Sequence, residues 1–333
     1  MNTFYLGIDV GSVSTNLVLI DKNSKVHKKM YVRTQGQPIK ILKEGLKALK
    51  KSMKEEFRIG GVGTTGSGRQ LASVMVGADV VKNEITAHAV AALEYYPDVR
   101  TILEIGGQDS KIIIIRDGIV YDFAMNTVCA AGTGSFIDRQ ASRLNIPIEE
   151  FGKYALKSTT PVRIAGRCAV FAESDMIHKQ QTGHNLEDII SGLCDALVRN
   201  YLNNVGKGKE ILEPIVFQGG VAANVGIVAA FERALNKKIH VPENYDVMGA
   251  LGAAILAREE TMKKGTTGFY GFELTERDYK ARSFECKDCS NMCEIVEILS
   301  DGLPAARWGD RCGKWNESLN QGNIIHLSSE TSA

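Results

Sequence analysis

Two cysteines of this chain lie beside glycines, in segments whose residue types could hold a metal or an anion. Cys129 lies in "NTVCAAGTGSF" and Cys168 in "RIAGRCAVFAESD". Both are expected directly before helices, where the helix dipole favours anions and lowers the pKa of a thiol. The glycines of the first segment would let the main chain approach a ligand closely. Thr133 and Ser135 are expected to cap the helix that follows.

The number of thiols suggests how a metal cluster would be completed. A [4Fe–4S] cluster takes four thiolate ligands, and these segments offer two per chain. A twofold dimer would supply the other two and place one cluster on the symmetry axis. The alternative is that both cysteines are small buried hydrophobic residues, as free cysteines often are. The spacing alone does not separate the two interpretations.

A second set of polar residues is expected to bind nucleotide phosphates. In "GIDVGSVSTN", Asp9 ends a strand and Gly11 begins the turn that follows. A strand-end carboxylate beside main-chain amides and hydroxyls suits a hydrated Mg²⁺ ion and phosphate oxygens. The segment "EIGGQDSK" repeats this arrangement with Gly106, Gly107 and Asp109.

A third glycine-rich turn completes the set. In "FQGGVAANVG", Gly219 and Gly220 leave room for a flat adenosine, and Asn224 opens the next helix. Each turn alone is a weak signal, but the three in this order predict one nucleotide site. The sequence has no G-x-x-x-x-G-K-[ST] motif, so the site is not a P-loop. Lys111 fits a solvated strand residue better than a phosphate ligand.

Hydrophobic periodicity places these turns in two similar halves. The strands "TFYLGIDV", "TNLVLID" and "KVHKKMYVRT" begin the first half, and "TILEIGG", "SKIIIIRDG" and "IVYDFAMN" begin the second. Tandem βββαβα units predict an α/β fold of two duplicated lobes with ligand between them. Lobe I is expected at 1–95 and lobe II, with the cysteine segments, at 96–244. A helix at about 245–264 would rejoin lobe I.

The last residues, 265–333, are expected to form a separate small module that holds four of the seven cysteines. "FECKDCSNMCEI" contains Cys286, Cys289 and Cys293, and Cys312 follows in "GDRCGK". The C-x2-C spacing resembles a zinc ribbon, whereas three clustered cysteines and a distant fourth also suit a second [4Fe–4S] cluster. The sequence therefore predicts a second metal site and leaves Zn²⁺ and an iron–sulfur cluster both open.

The composition argues against several classes of protein. With 40 Lys plus Arg against 39 Asp plus Glu, the net charge of +1 gives no basic surface for nucleic acid or acidic membrane. No apolar run approaches the ~18 residues of a membrane span, and the N-terminus lacks signal-peptide features. We expect a cytoplasmic protein with cysteines that are reduced or bind metal.

Cys194 shares an apolar helical stripe with Leu193 and Leu197 and is expected in the core.

The three glycine-rich turns together resemble those of the actin, hexokinase and 70-kDa heat-shock ATPase superfamily. The resemblance implies a two-lobe ATPase fold that binds ATP or ADP with Mg²⁺. It also implies that Asp9 and Asp109 order Mg²⁺ and the attacking water. The residues that would hold the phosphates are Ser12, Ser14, Thr15 and Gln108.

The segments "GIDVGSVST", "EIGGQDSK", "CAAGTGSF", "GRCAVFAESD" and "QGGVAAN" together resemble the activator component of 2-hydroxyacyl-CoA dehydratases, over roughly Thr3 to Glu260. This family includes the ATPase subunits of benzoyl-CoA reductase and the reductases of double-cubane-cluster proteins. The resemblance implies a homodimer bridged by one [4Fe–4S] cluster on Cys129 and Cys168 of each chain. ATP hydrolysis would drive one low-potential electron, supplied by a ferredoxin or flavodoxin, onto a partner iron–sulfur protein.

Two other functions compete with this interpretation. A small-molecule kinase on the same ATPase fold would need an acceptor pocket with a catalytic carboxylate. A nucleotide-switched assembly or chaperone-like protein would use ATP only to change conformation. Both leave Cys129 and Cys168 without a role.

Overall fold

The computed structural model describes residues 2–53 and 56–317, so the end of the expected C-terminal module, 318–333, lies outside the described residues. The chain divides into two compact units, Met1–Ala87 with Gly249–Ala333, and His88–Met248. Among the described residues, no helix combines the length and apolar character needed to cross a membrane.

The first unit is built on a five-stranded sheet in the order β3-β2-β1-β4-β5. Its strands are β1 (Asn2–Val10), β2 (Ser14–Ile20), β3 (Val26–Arg33), β4 (Phe57–Thr65) and β5 (Val80–Val81). The first three strands pair antiparallel, and β4 and β5 are parallel to β1. Helices α1 (Pro38–Ser52) and α2 (Arg69–Val76) belong to this unit, and α3 (Glu84–Tyr95) begins in it.

The sequence pattern explains why α1 forms and which face it buries. Pro38 lies in the first turn, where its missing N–H costs no helical hydrogen bond. The apolar side chains then recur every three or four residues, so one face of the helix packs into the core. The buried residues of that face include Ile41, Leu42, Leu46 and Leu49.

The second unit repeats the strand order of the first. Its sheet, read from one edge, runs β8-β7-β6-β9-β10, which is again third, second, first, fourth and fifth strand. The strands are β6 (Thr101–Ile105), β7 (Ser110–Arg116), β8 (Ile119–Asn126), β9 (Ile215–Gln218) and β10 (Ile239–His240). The helices are α4 (Gly134–Arg143), α5 (Ile148–Ala155), α6 (Ala169–Gln181), α7 (Leu186–Asn204) and α8 (Val225–Leu235). The predicted duplication is confirmed.

Glycines allow α9 (Met248–Lys264) to lie directly on the first sheet. A Cβ on Gly7 of β1 would lie 1.7 Å from the carbonyl oxygen of Ala250, and one on Gly63 of β4 would lie 2.1 Å from that of Ala253. Any larger residue would push the helix off the sheet, so these positions require glycine for packing.

The C-terminal residues add a three-stranded antiparallel sheet, β11 (Tyr279–Glu285), β12 (Glu294–Ser300) and β13 (Leu303–Trp308), followed by α10 (Lys314–Glu317). The sequence predicts a separate module here. Instead, Leu274, Tyr279 and Ile298 are buried in the same hydrophobic cluster as Leu6 and Leu46 of the first unit. The small sheet therefore shares a core with that unit, because its own apolar surface needs cover.

Candidate functional site

Asp9 lies at the end of β1 among polar residues of the neighbouring strands. It is opposite Asn16 on β2 and Thr65 on β4. The Asn16 Oδ1 and Thr65 Oγ1 atoms are buried without a hydrogen-bond partner among the described residues. Gly66 has a φ of 89° and approaches the carboxylate so closely that a Cβ would lie 2.4 Å from Asp9 Oδ1. Buried polar atoms without partners are costly, so their concentration at a strand-end carboxylate marks a candidate ligand site.

The turn after β1 has an exposed part and a buried part. Ser12 is exposed and Ser14 partly exposed, so both hydroxyls are available to a ligand. Thr15 is fully buried, and its Oγ1 lies 3.0 Å from Thr34 Oγ1, which donates to the carbonyl oxygen of Gly11 at 2.9 Å. The hydroxyl of Thr15 therefore braces the turn from inside and does not reach its surface.

Lys111 is not the solvated strand residue expected from the sequence. Its side chain is 2% exposed, and Nζ lies 2.7 Å from Asp109 Oδ2 and 2.9 Å from Glu104 Oε2. That interpretation of Lys111 was wrong because the carboxylate of Glu104 comes from the neighbouring strand, seven residues away in sequence. Asp109 keeps about a third of its side chain exposed, so it can still meet a ligand.

Glu104 is a functional candidate that the sequence reasoning missed. In β6 it is opposite Lys111 on β7 and Gln218 on β9. Asp9 has the same two relations in the first sheet, to the second and fourth strands. The residue equivalent to Asp9 in the second unit is therefore Glu104, and Asp109 lies in the turn beyond it. The matching patterns "DVG" and "EIG" were the available signal.

A buried histidine completes this polar group without adding charge. His88 Nδ1 lies 2.9 Å from Gln218 Nε2. Burial, with a smaller contribution from the charge of Lys111, lowers the pKa of His88 to about 3, although the charge of Asp109 acts to raise it. His88 is therefore neutral at physiological pH. The group holds two carboxylates against one ammonium, a surplus of negative charge that suits a cation.

The third glycine-rich turn packs tightly against the first strand of its sheet. Gly219 has a φ of 89°, and a Cβ there would lie 2.4 Å from the carbonyl oxygen of Ile105. Gly220 is exposed at the start of a short 3₁₀ turn. Asn224 begins α8, as expected, and its Oδ1 accepts hydrogen bonds from two main-chain N–H groups of the first turn. Its Nδ2 is buried without a partner among the described residues.

Cys129 and Cys168 lie in neighbouring segments of the second unit. Cys129 Sγ is 3.9 Å from the carbonyl oxygen of Arg167, the residue before Cys168. The side chain of Asn200, on α7, lies between the segments, with Nδ2 2.6 Å from the Gly166 oxygen and 3.7 Å from Cys129 Sγ. Both thiols are partly exposed. Neither is a core residue, so the alternative of two buried hydrophobic side chains is wrong.

The local structure differs from the expectation at one of the two thiols. Cys168 directly precedes α6, as predicted, but Cys129 precedes a three-residue 3₁₀ turn, and α4 begins only at Gly134. The side chains expected to cap α4 do not do so. Thr133 donates its hydroxyl to the carbonyl oxygen of Ala130, and Ser135 donates to that of Gly107.

Exposed apolar side chains lie close in sequence to both thiols. Val128 is 94% exposed, and Val170 and Phe171, at the start of α6, are about two-thirds exposed. Large exposed apolar side chains grouped around potential ligands are typical of a surface that another protein covers.

Comparison with known proteins decides the family. The profile of the BadF/BadG/BcrA/BcrD ATPase family matches residues 6–257. The chain belongs to this family.

Relatives within the ATPase family are matched over almost their full length. The chain is 34% identical to the (R)-2-hydroxyglutaryl-CoA dehydratase activating ATPase of Acidaminococcus fermentans, over 79% of this chain and 100% of that one. It is 34% identical to the activator of lactoyl-CoA dehydratase of Anaerotignum propionicum, over 78% and 100% of the two chains. The solved activator of 2-hydroxyisocaproyl-CoA dehydratase from Clostridium difficile, with bound ADPNP, superposes with a TM-score of 0.71 at 32% identity, covering 79% and 97%. The predicted resemblance is confirmed.

Cys194 and the C-terminal cysteines differ from the two thiols of the family region. Cys194 is fully buried, as predicted, and burial, aided by the charge of Asp195, raises the pKa of its thiol to about 12. The other four lie beyond the family match, at one end of the small sheet, and the N–H of Cys286 donates to the carbonyl oxygen of Cys293 at 2.8 Å. Over residues 2–53 and 56–317, no three His, Cys, Asp or Glu side chains are grouped to hold a metal ion. The second metal site stays a prediction.

Proposed function

We propose that this ATPase is a low-potential electron-transfer activator. It hydrolyses ATP to drive one electron onto a partner iron–sulfur protein, such as a 2-hydroxyacyl-CoA dehydratase or a double-cubane-cluster protein. The relatives named as dehydratase activators support this assignment. A ferredoxin or flavodoxin is the donor, and the cytoplasm is the compartment.

One observation carries the proposal: two partly exposed thiols lie in neighbouring segments, each followed or preceded in the chain by exposed apolar residues. This donor set fits half of the four thiolates that a [4Fe–4S] cluster takes. Cys129 and Cys168 of one chain would hold the cluster together with the same residues of a second copy, in a homodimer. When bound, such a cluster supplies one-electron chemistry at low potential.

The remaining roles fall to the phosphate-binding turns. Asp9 and Asp109 order Mg²⁺ and the attacking water, because both carboxylates are partly exposed, Asp9 near the end of β1 and Asp109 in the turn after β6. Lys111 fixes the Asp109 carboxylate by its 2.7 Å contact. The phosphates and adenosine are held by the main chain and side chains of Gly11, Ser12, Ser14, Gly106, Gly107, Gln108, Gly219, Gly220 and Asn224.

A charge-removing substitution tests the ATPase assignment. Asp109→Asn keeps the shape of the side chain but removes the charge that orders Mg²⁺ or water. We expect the rate of ATP hydrolysis to fall at least about a hundredfold, the usual range for a lost acid–base or water-ordering group. Asp117→Asn, in the exposed turn between β7 and β8, is the matched control and retains the rate. Unchanged hydrolysis by Asp109→Asn would show that the catalytic carboxylate lies elsewhere.

A further inference from the structure

The phosphate turn of the second unit forms the N-terminal cap of α4. The N–H groups of Gly134 and Ser135 donate to the carbonyl oxygens of Gly106 and Gly107, each at 2.9 Å. The Ser135 hydroxyl donates to Gly107 as well. The first N–H groups of a helix have no acceptor inside the helix. Here the turn supplies the acceptors, so a movement of the turn and a movement of α4 cannot be independent.

The glycine at the start of α4 permits this contact. A Cβ on Gly134 would lie 3.0 Å from the carbonyl oxygen of Gly106 and 3.0 Å from Val221 Cγ2. Both neighbours would have to give way to accept it. The "GTGS" part of the cysteine segment therefore serves the approach of α4 to the phosphate turn.

An ion-pair bridge joins α4 to the helix that follows Cys168. Glu173 of α6 accepts from Arg139 Nε at 3.2 Å and from Arg143 Nη1 at 2.6 Å. The two arginines are four residues apart on α4 and therefore share one face of the helix. The Glu173 side chain is 17% exposed, whereas Arg139 and Arg143 are 71% and 47% exposed, so solvent partly screens the bridge.

We propose that Ser135 and Glu173 are positioning residues that connect the phosphate turn to both thiols. A shift of Gly106–Gly107 on nucleotide exchange is passed to α4 through Ser135, and from α4 to α6 and Cys168 through Glu173. Cys129 moves together with α4 because only four residues separate it from Gly134, the first residue of the helix. This inference rests on the proposed function, in which the turn binds phosphate. Since coupling is reciprocal, a change at the thiols also changes nucleotide affinity.

Hydrogen exchange in the full chain tests the two connections separately. Exchange is measured by mass spectrometry in 128–143 and in 166–181, with saturating ADP and with ADPNP. In the unchanged protein we expect both segments to differ between the nucleotides. We expect Ser135→Ala to reduce the difference in exchange between the two nucleotide states roughly fivefold in both segments, because one net hydrogen bond corresponds to about that factor. Glu173→Gln reduces it only in 166–181.

Two control variants distinguish the proposed effect from a general loss of structure. Ser142→Ala makes the same change at an exposed position of the same helix and keeps both differences. Ser135→Thr retains a hydroxyl and restores the response that Ser135→Ala loses. Full differences in Ser135→Ala, or equal exchange with both nucleotides in the unchanged protein, would overturn the inference. A chain that binds neither nucleotide would instead overturn the proposed function.

Discussion

At the scale of single residues, the polar group around Lys111 has more negative than positive charge. Glu104 and Asp109 share the ammonium of Lys111, and His88 beside them stays neutral. These four side chains together carry one negative charge in excess. A hydrated magnesium ion or the positive end of a helix dipole could meet that charge.

The neutrality of His88 has a consequence for stability. In the unfolded chain a histidine binds a proton near pH 6.5, whereas folded His88 does so only near 3. Between these values the unfolded state binds more protons, so the free energy of unfolding falls as the pH falls. His88 contributes about 1.4 kcal/mol of this loss per pH unit below about 6.5.

Replacing His88 removes this contribution. From about pH 7 to about pH 5, we expect His88→Gln to lose roughly 2 kcal/mol less stability than the unchanged protein. Urea unfolding at the two pH values measures the difference. His178→Gln, at an exposed position of α6, should show the unchanged slope. The same slope in all three proteins would mean that His88 is protonated in the folded state.

At the scale of elements, the strands and the turns between them could be predicted. The alternation of apolar and polar residues indicates the strands, and glycines at the strand ends indicate the turns. The environment of Lys111 could not be predicted, since it depends on the register between β6 and β7. A chain position does not reveal which side chain lies opposite on the next strand. The cap of α4 could not be predicted for the same reason. Thr133 and Ser135 are good capping residues, but the first N–H groups of α4 donate instead to carbonyl oxygens of a turn that is distant in sequence.

We expect the second metal site at one end of the small sheet. Cys286 and Cys293 flank the β11–β12 connection, and Cys312 follows β13, so one end of the sheet holds all four cysteines. We expect purified protein to contain zinc, or a second iron–sulfur cluster, that Cys289→Ala loses. Ser290→Ala, in the same exposed connection, retains it. Metal analysis showing equal contents in both variants would exclude Cys289 as a ligand.

At the scale of the whole molecule, duplication explains the distribution of roles. Each unit offers a strand-end carboxylate and a glycine turn, but only the second carries the paired thiols, on segments that precede α4 and α6. The family match ends at residue 257, so the small sheet lies outside it, although it shares a hydrophobic cluster with the first unit. The identity of the partner protein could not be predicted, because it depends on surface shape and the spacing of residues in the sequence does not reveal that shape.

The central claim is that Cys129 and Cys168 hold a cluster between two copies of the chain. Iron and acid-labile sulfide, counted per chain in anaerobically purified protein, test it most directly. The unchanged protein should contain about one [4Fe–4S] cluster per two chains at this site. The double variant Cys129→Ala, Cys168→Ala should lose that iron and still bind ADP, because the proposed nucleotide site uses other residues. A double variant with the full iron content of the unchanged protein would contradict the claim.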